Sequence, residues 1–265
     1  MKFHLFLGAA VAVTLAVALP AQQAPSDYYG FACIKVKPGK GAEFQEWAAD
    51  SLHKFQQANV DSGRFSAWFL LNSVMPQGIS ATCDYYSLWR YPALPSPPMG
   101  AEAVGEALKK ASAGVGAREF IERRTALVEL VSMEIWQIQI GVGTVQKGDY
   151  LFINRMKVPK VDEWVDMEKK IWQPMAEQWV KDGGLHGWFL NLPVLPGGSE
   201  LKYQATTVDV LPNWEAAMKY GADISETFKK AHPGKDMEHT FEYLKMRDLA
   251  VQELWKVEDV VRPAK

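Results

Sequence analysis

The sequence predicts an α+β protein made of two tandem copies of a βαββαβ unit, the ferredoxin-like split βαβ order. Three observations predict it. The stretch "GRFSAWFLLNSVMPQG" at 63–78 returns as "GGLHGWFLNLPVLPGG" at 183–198. A slide of 120 positions lays Glu43, Val60, Gly63, Trp68, Val74, Pro76 and Pro92 on Glu163, Val180, Gly183, Trp188, Val194, Pro196 and Pro212 without a gap. The same order of strand and helix periodicities then runs through both halves. "MEIWQI" (133–138) matches "QELWKV" (252–257) near the end, so the copies cover 28–139 and 148–258, joined by "GVGTVQKGD". Two long copies make a tandem domain, whereas a solenoid needs several shorter units.

Each copy opens on a strand, "YGFACIKV" or "YLFINRMKV", and turns at Pro38-Gly39 or Pro159 into an amphipathic helix. In the second of these helices Trp164, Ile171, Met175 and Trp179 share one face, and Pro174 predicts a kink. The repeated phrase supplies the second strand. "AWFLLN" and "GWFLNL" are apolar at successive positions, so both strand faces are expected to be buried. "PQG" and "PGG" turn the chain into a third strand, "SATCDYYSLW" or "KYQATTVDV". Helical regions at 92–132 and 212–247 precede a last strand, "EIWQIQI" or "ELWKV".

Lys2, an apolar run from Leu5 to Leu19 and the small-residue end "ALPA" have the layout of a secretory signal peptide at 1–21. The run is shorter than the roughly 20 residues of a membrane span. An exported protein, periplasmic or secreted, with no membrane span in its mature part is the expectation; an uncleaved N-terminal anchor is the alternative. With 29 basic and 31 acidic residues and no block of like charge, the chain has no basic face for nucleic acid. Cys33 and Cys83 fit no redox or zinc spacing, and a disulfide and two buried thiols both stay open. No nucleophile elbow, phosphate-binding loop or dinucleotide-binding glycine motif is present.

The duplicated βαββαβ pattern resembles the dimeric α/β-barrel superfamily, in which two ferredoxin-like units set their sheets face to face. Antibiotic-biosynthesis monooxygenases, haem-degrading monooxygenases and the EthD and NIPSNAP-like groups belong to it. The resemblance implies that the two copies here form a fused, single-chain version of that barrel. Fusion frees the halves to diverge, so positions where the copies differ in polarity are the best pointers to chemistry.

Three such positions fall in the second copy. Asn154 stands where the first copy has Ile34, His186 where it has Ser66, and His232 appears in "ETFKKAHPG" against "EALKKASAG". An Asn on the first strand of "INRMKV" and a His in "FKKAH" are similar to the haem-degrading group, where the Asn sits beside bound oxygen and the His ligates haem iron. By that resemblance Asn154 and His232 are the catalytic candidates, and His232 is a metal ligand only where haem is bound. Asp209 stands where that group has a Trp, while the first copy has Trp89 there. His232 also fits a helix C-terminus, just before Pro233-Gly234.

His186 and Trp188 share a strand face and are candidate ligand-binding residues if that face lines the barrel; if it faces the helices, His186 lies at a rim. His53 and His239 read as solvated positions. Tyr28, Tyr29, Tyr85, Tyr86, Trp89 and Tyr91 would suit either a cofactor-free oxygenase pocket, as the resemblance implies, or plain sheet packing. The reading is an exported barrel protein that binds a small apolar or aromatic ligand, or haem, in its second copy, with monooxygenase-like chemistry. Apart from haem, the residues ask for no cofactor, and a homo-oligomer stays open. The alternative is a non-enzymatic structural or protein-interaction module of the cell envelope.

Overall fold

The computed structural model describes residues 27–78, 81–111 and 114–263; the expected signal peptide lies outside the described residues. The first copy contributes β1 (Tyr28–Val36), β2 (Ala67–Met75), β3 (Tyr85–Tyr91) and β4 (Val128–Gly143). The second contributes β5 (Tyr150–Lys157), β6 (Gly187–Leu195), β7 (Ala205–Leu211) and β8 (Asp248–Val261). They close one barrel in the order β1-β3-β2-β8-β5-β7-β6-β4. Each copy keeps the ferredoxin-like order within itself. The two seams, β2 with β8 and β4 with β6, are made by last strands that run on past their own copy.

Closure explains the unbroken apolar run of the repeated phrase. Trp68 and Leu70 pack under the first copy's helices beside Phe44 and Phe55, while Phe69 and Leu71 point into the barrel with Leu88, Ile153 and Trp255. Trp188 and Leu190 repeat the arrangement under the second set of helices, against Trp164, Met175 and Phe228. The "WFL" core is therefore packing in both copies.

Helices α1 (Gly41–Trp47) and α2 (His53–Asp61) are joined by a π-helical turn, Ala48–Leu52. In the second copy α5 (Val161–Met167) and α6 (Gln173–Asp182) flank the matching turn, Glu168–Trp172. The expected kink at Pro174 is this π turn just before it. Lys54 occupies the proline's place in the first copy and the same turn forms there, so the proline tolerates the irregularity without causing it. Trp164, Ile171, Met175 and Trp179 are all buried, as their spacing predicts. Two helices, α3 (Ala101–Lys110) and α4 (Ala117–Leu127), complete the first copy's layer, and strand β4 begins at Val128, inside the region expected to be helical. The second copy has α7 (Trp214–Met218), α8 (Ile224–Ala231), α9 (Met237–Thr240) and a 3₁₀ turn, Phe241–Met246.

Cys33 on β1 and Cys83 just before β3 form a disulfide across a sequence separation of 50. Tethering that much chain in the unfolded state is worth about 4 kcal/mol in the chain-entropy picture. Cys33→Ala with Cys83→Ala is expected to lower unfolding free energy by about 2–4 kcal/mol in urea titrations, with the midpoint shifting and the barrel's circular dichroism kept.

Candidate functional site

Strands β5 and β7 turn alternate residues toward the barrel and toward the helices. Leu151 and Ile153, with Val208 and Val210, go inward. Asn154 and Asp209 therefore face the second helical layer, where both are buried. Asp209 is held on both oxygens: Tyr220 donates its hydroxyl to Oδ1 at 2.5 Å, and Asn154 donates Nδ2 to Oδ2 at 2.7 Å. The Asn154 carbonyl oxygen accepts from Gln252 Nε2 at 2.8 Å, which fixes the amide's orientation. Burial raises the Asp209 carboxyl to about 6, against the downward pull of those two donors and Arg247.

A second carboxylate faces the same space. Glu168 sits on the π turn, four residues after Trp164 and three before Ile171, on the face that the apolar residues also use. Its carboxyl is pushed up to about 8, chiefly by burial; Tyr243 donates its hydroxyl to Oε1 at 3.3 Å. Together with Thr207, Trp172 and Arg247 these groups line a cleft of about 120 Å³, next to solvent at Gln252 and Leu249. The Arg247 guanidinium makes no ion pair or hydrogen bond among the described residues. At neutral pH the cleft offers an ionised base, a neutral acid and an unpaired cation. That combination suits proton transfer with stabilisation of an anionic oxygen.

These groups belong to one copy. The first copy places Ile34, Ala48, Trp89 and Gly100 at the positions of Asn154, Glu168, Asp209 and Tyr220. The change also reroutes a hydrogen bond. Trp68 Nε1 donates to Ser87 Oγ at 2.8 Å, but the matching hydroxyl, Thr207 Oγ1, takes Asn154 Nδ2 at 3.2 Å. Among the described residues Trp188 Nε1 is left buried without an acceptor, a cost of roughly 1–3 kcal/mol.

Asn154 is the one sequence candidate that lines this cleft. His232 is buried at the C-terminal end of α8, its ring against Phe228, with Nε2 donating to the Ile171 carbonyl at 2.8 Å. It clamps α8 to the π turn that carries Glu168 and does not line the cleft. With that ring committed to a carbonyl, and a cleft of about 120 Å³ that takes a single small ring but not a haem macrocycle, these residues do not fit haem. His232→Ala is expected to lower stability by about 2 kcal/mol, while absorbance titrations of wild type and variant with haem superimpose. His186 lies at the rim, its Nδ1 2.8 Å from the buried Asp149 carboxylate, and Trp188 is closed packing.

The aromatic group of the first copy divides between two faces and forms no single pocket. Tyr85 and Tyr91 lie under the helices, while Tyr86 is in the barrel, 4.0 Å from Trp255 centroid to centroid. His53, expected to be a solvated residue, instead pairs through Nδ1 with Asp259 Oδ2 at 2.6 Å, on the wall of a cleft of about 470 Å³. Its partner comes from the end of β8, 206 residues away. The two copies thus each keep a space between helices and sheet, lined differently. Among the described residues no group of three or more His, Cys, Asp or Glu could hold a metal ion, and no helix is long and apolar enough to cross a membrane.

By sequence, no family model matches the chain and no curated protein matches it. Solved structures do match its architecture. A provisionally named monooxygenase from Fusobacterium nucleatum superposes with a TM-score of 0.57 at 11% identity, over 89% of this chain and 94% of that one. The chain has the dimeric α/β-barrel fold. A second provisionally named monooxygenase, from Lactobacillus acidophilus, superposes on this barrel with a TM-score of 0.53 at 10% identity, over 89% and 96% of the two chains. Both span nearly the whole described chain, so the two halves of the barrel are matched together.

Proposed function

We propose that this protein is an exported α/β-barrel enzyme that binds a small apolar or aromatic substrate in the cleft of its second copy and carries out monooxygenase-like chemistry there. The observation that carries the reading is the pair of buried carboxyls, Asp209 and Glu168, raised to about 6 and about 8 in one cleft and absent from the sister copy. Asp209 takes the proton from an acidic C–H or phenolic O–H of the substrate. Asn154 and Tyr220 hold the carboxylate in place, and the developing oxyanion faces Arg247. A substrate anion of this kind is itself the electron donor to dioxygen: a CH₂ becomes C=O, the second oxygen leaves as water, and Glu168 supplies a proton to the reduced oxygen. The two solved structures named above are also provisionally named monooxygenases.

A purely structural module has no use for a polar cavity against Asn154. Export is supported by the N-terminal layout and by a disulfide that an oxidising compartment would preserve. The test is oxygen uptake by the purified protein with a panel of small phenols and 1,3-diketones. Uptake with at least one of them, lost in Asp209→Asn, is expected. An absence of both uptake and binding across the panel overturns the reading.

A further inference from the structure

The barrel's own interior has two unequal ends. At one, Arg155 donates to the Tyr86 hydroxyl at 2.8 Å and pairs with Glu253 at 3.6 Å, with Trp255 stacked beneath. That end is plugged by groups that satisfy one another. The register of β1 on β3 sets Tyr86 opposite Cys33 and Arg90 opposite Tyr29, so Arg90 and Tyr29 mark the other end.

The other end is open. It holds a cavity of about 530 Å³ whose wall includes Tyr29, Phe69, Ile138, Val145 and Phe189. Those five residues also line a smaller apolar space of about 40 Å³ deeper in the barrel, so the mouth leads into it. The rim has two guanidinium groups. Arg90 pairs with Asp27, yet its Nε is buried and donates to nothing among the described residues. Arg262 donates Nη2 to the Val145 carbonyl and makes no ion pair among the described residues. The Tyr29 hydroxyl between them has no hydrogen-bond partner there either.

The charged side chains on this wall are Asp27, Arg90 and Arg262, an excess of one positive charge. Asp149, which feels Arg262, is engaged by His186 at 2.8 Å and is not on the wall. An apolar funnel with unspent, planar donors at its lip matches one ligand shape.

We propose that the open mouth of the barrel is a second ligand site, distinct from the second-copy cleft, that takes a small amphipathic carboxylate. Its head group sits between Arg90 and Arg262 and accepts from Tyr29, and its ring or short chain lies on Phe69 and Phe189. The small inner space restricts the tail to one ring or a few carbons. Arg is suited to the lip because its fork pairs with both oxygens of a carboxylate, which a lysine cannot do.

Calorimetric titration of the full chain with benzoate, and with benzyl alcohol as a neutral analogue of the same shape, tests this. Saturable benzoate binding, at least tenfold tighter than benzyl alcohol and weakened at least tenfold by Arg262→Gln and by Arg90→Gln, is expected. Arg262 is exposed, so its variant decides the matter if Arg90→Gln fails to fold. Asp209→Asn is expected to leave benzoate binding unchanged, which separates this site from the catalytic cleft. Absence of benzoate binding, binding indifferent to both arginine variants, or equal binding of the alcohol overturns the proposal.

Discussion

Asp209→Asn is expected to reduce turnover by about 10²–10⁴-fold, the usual worth of a positioned general base, with little change in substrate affinity. The amide keeps the volume of the carboxyl and can still accept from Tyr220, but it cannot take a proton. The pH dependence carries the mechanism. With the base raised to about 6 and the acid to about 8, kcat/KM should rise as pH passes about 6, when Asp209 ionises, and fall as it passes about 8, when Glu168 loses its proton. The Asp209 charge helps to raise Glu168, so the alkaline limb depends on the ionised base as well as on the acid. In Glu168→Gln the alkaline limb is expected to disappear while the acidic limb stays. A profile in that variant with both limbs intact would remove Glu168 from the acid's role.

Fusion is what makes a one-sided site available. In a barrel made from two identical chains, any residue placed in one half appears in the other. Here Ala48 and Trp89 set a methyl and an indole where the second copy has Glu168 and Asp209, so among the described residues only the second copy bears the cost of buried carboxyls. Its sister keeps a different opening, walled by His53 and Asp259.

Much of this was legible in the sequence because duplication doubles every signal. The repeated "WFL" phrase, its two buried faces and the order of elements all follow from periodicity, and Asn154 stood out as a polar residue facing an Ile in its twin. Glu168 is equally legible: it lies at helical spacing within the apolar face of Trp164 and Ile171, where a charge has no solvent to meet. Asp209 shows in the sequence only as the place where the first copy has Trp89. Tyr220 lies in the turn after α7, Tyr243 in the 3₁₀ turn and Arg247 in the single residue that links that turn to β8, none of them in an element whose phase a periodicity sets. The His53–Asp259 pair was out of reach for another reason: β8 crosses to β2 of the opposite copy, and local patterns do not report where a strand finds its neighbour.

Glu168→Gln is also expected to change stability, and in the direction opposite to most buried-site variants. A carboxyl raised from 4.5 to about 8 binds its proton more tightly in the folded than in the unfolded chain. Between those values the folded state carries the extra proton, so unfolding free energy falls as pH rises from about 4.5 and levels off above about 8. At 1.36 kcal/mol per unit the loss amounts to about 5 kcal/mol as an upper bound. Glutamine retains an oxygen for the Tyr243 hydroxyl and has no proton to lose. Urea titrations should therefore find the variant about as stable as wild type at pH 5 and more stable by several kcal/mol at pH 9. An unchanged difference between the two across that range would mean that Glu168 is ionised throughout, and with it the acid of the proposed chemistry would be lost. A gain on removal is what distinguishes a carboxyl retained for chemistry from one retained for the fold, since the barrel would be better off without it.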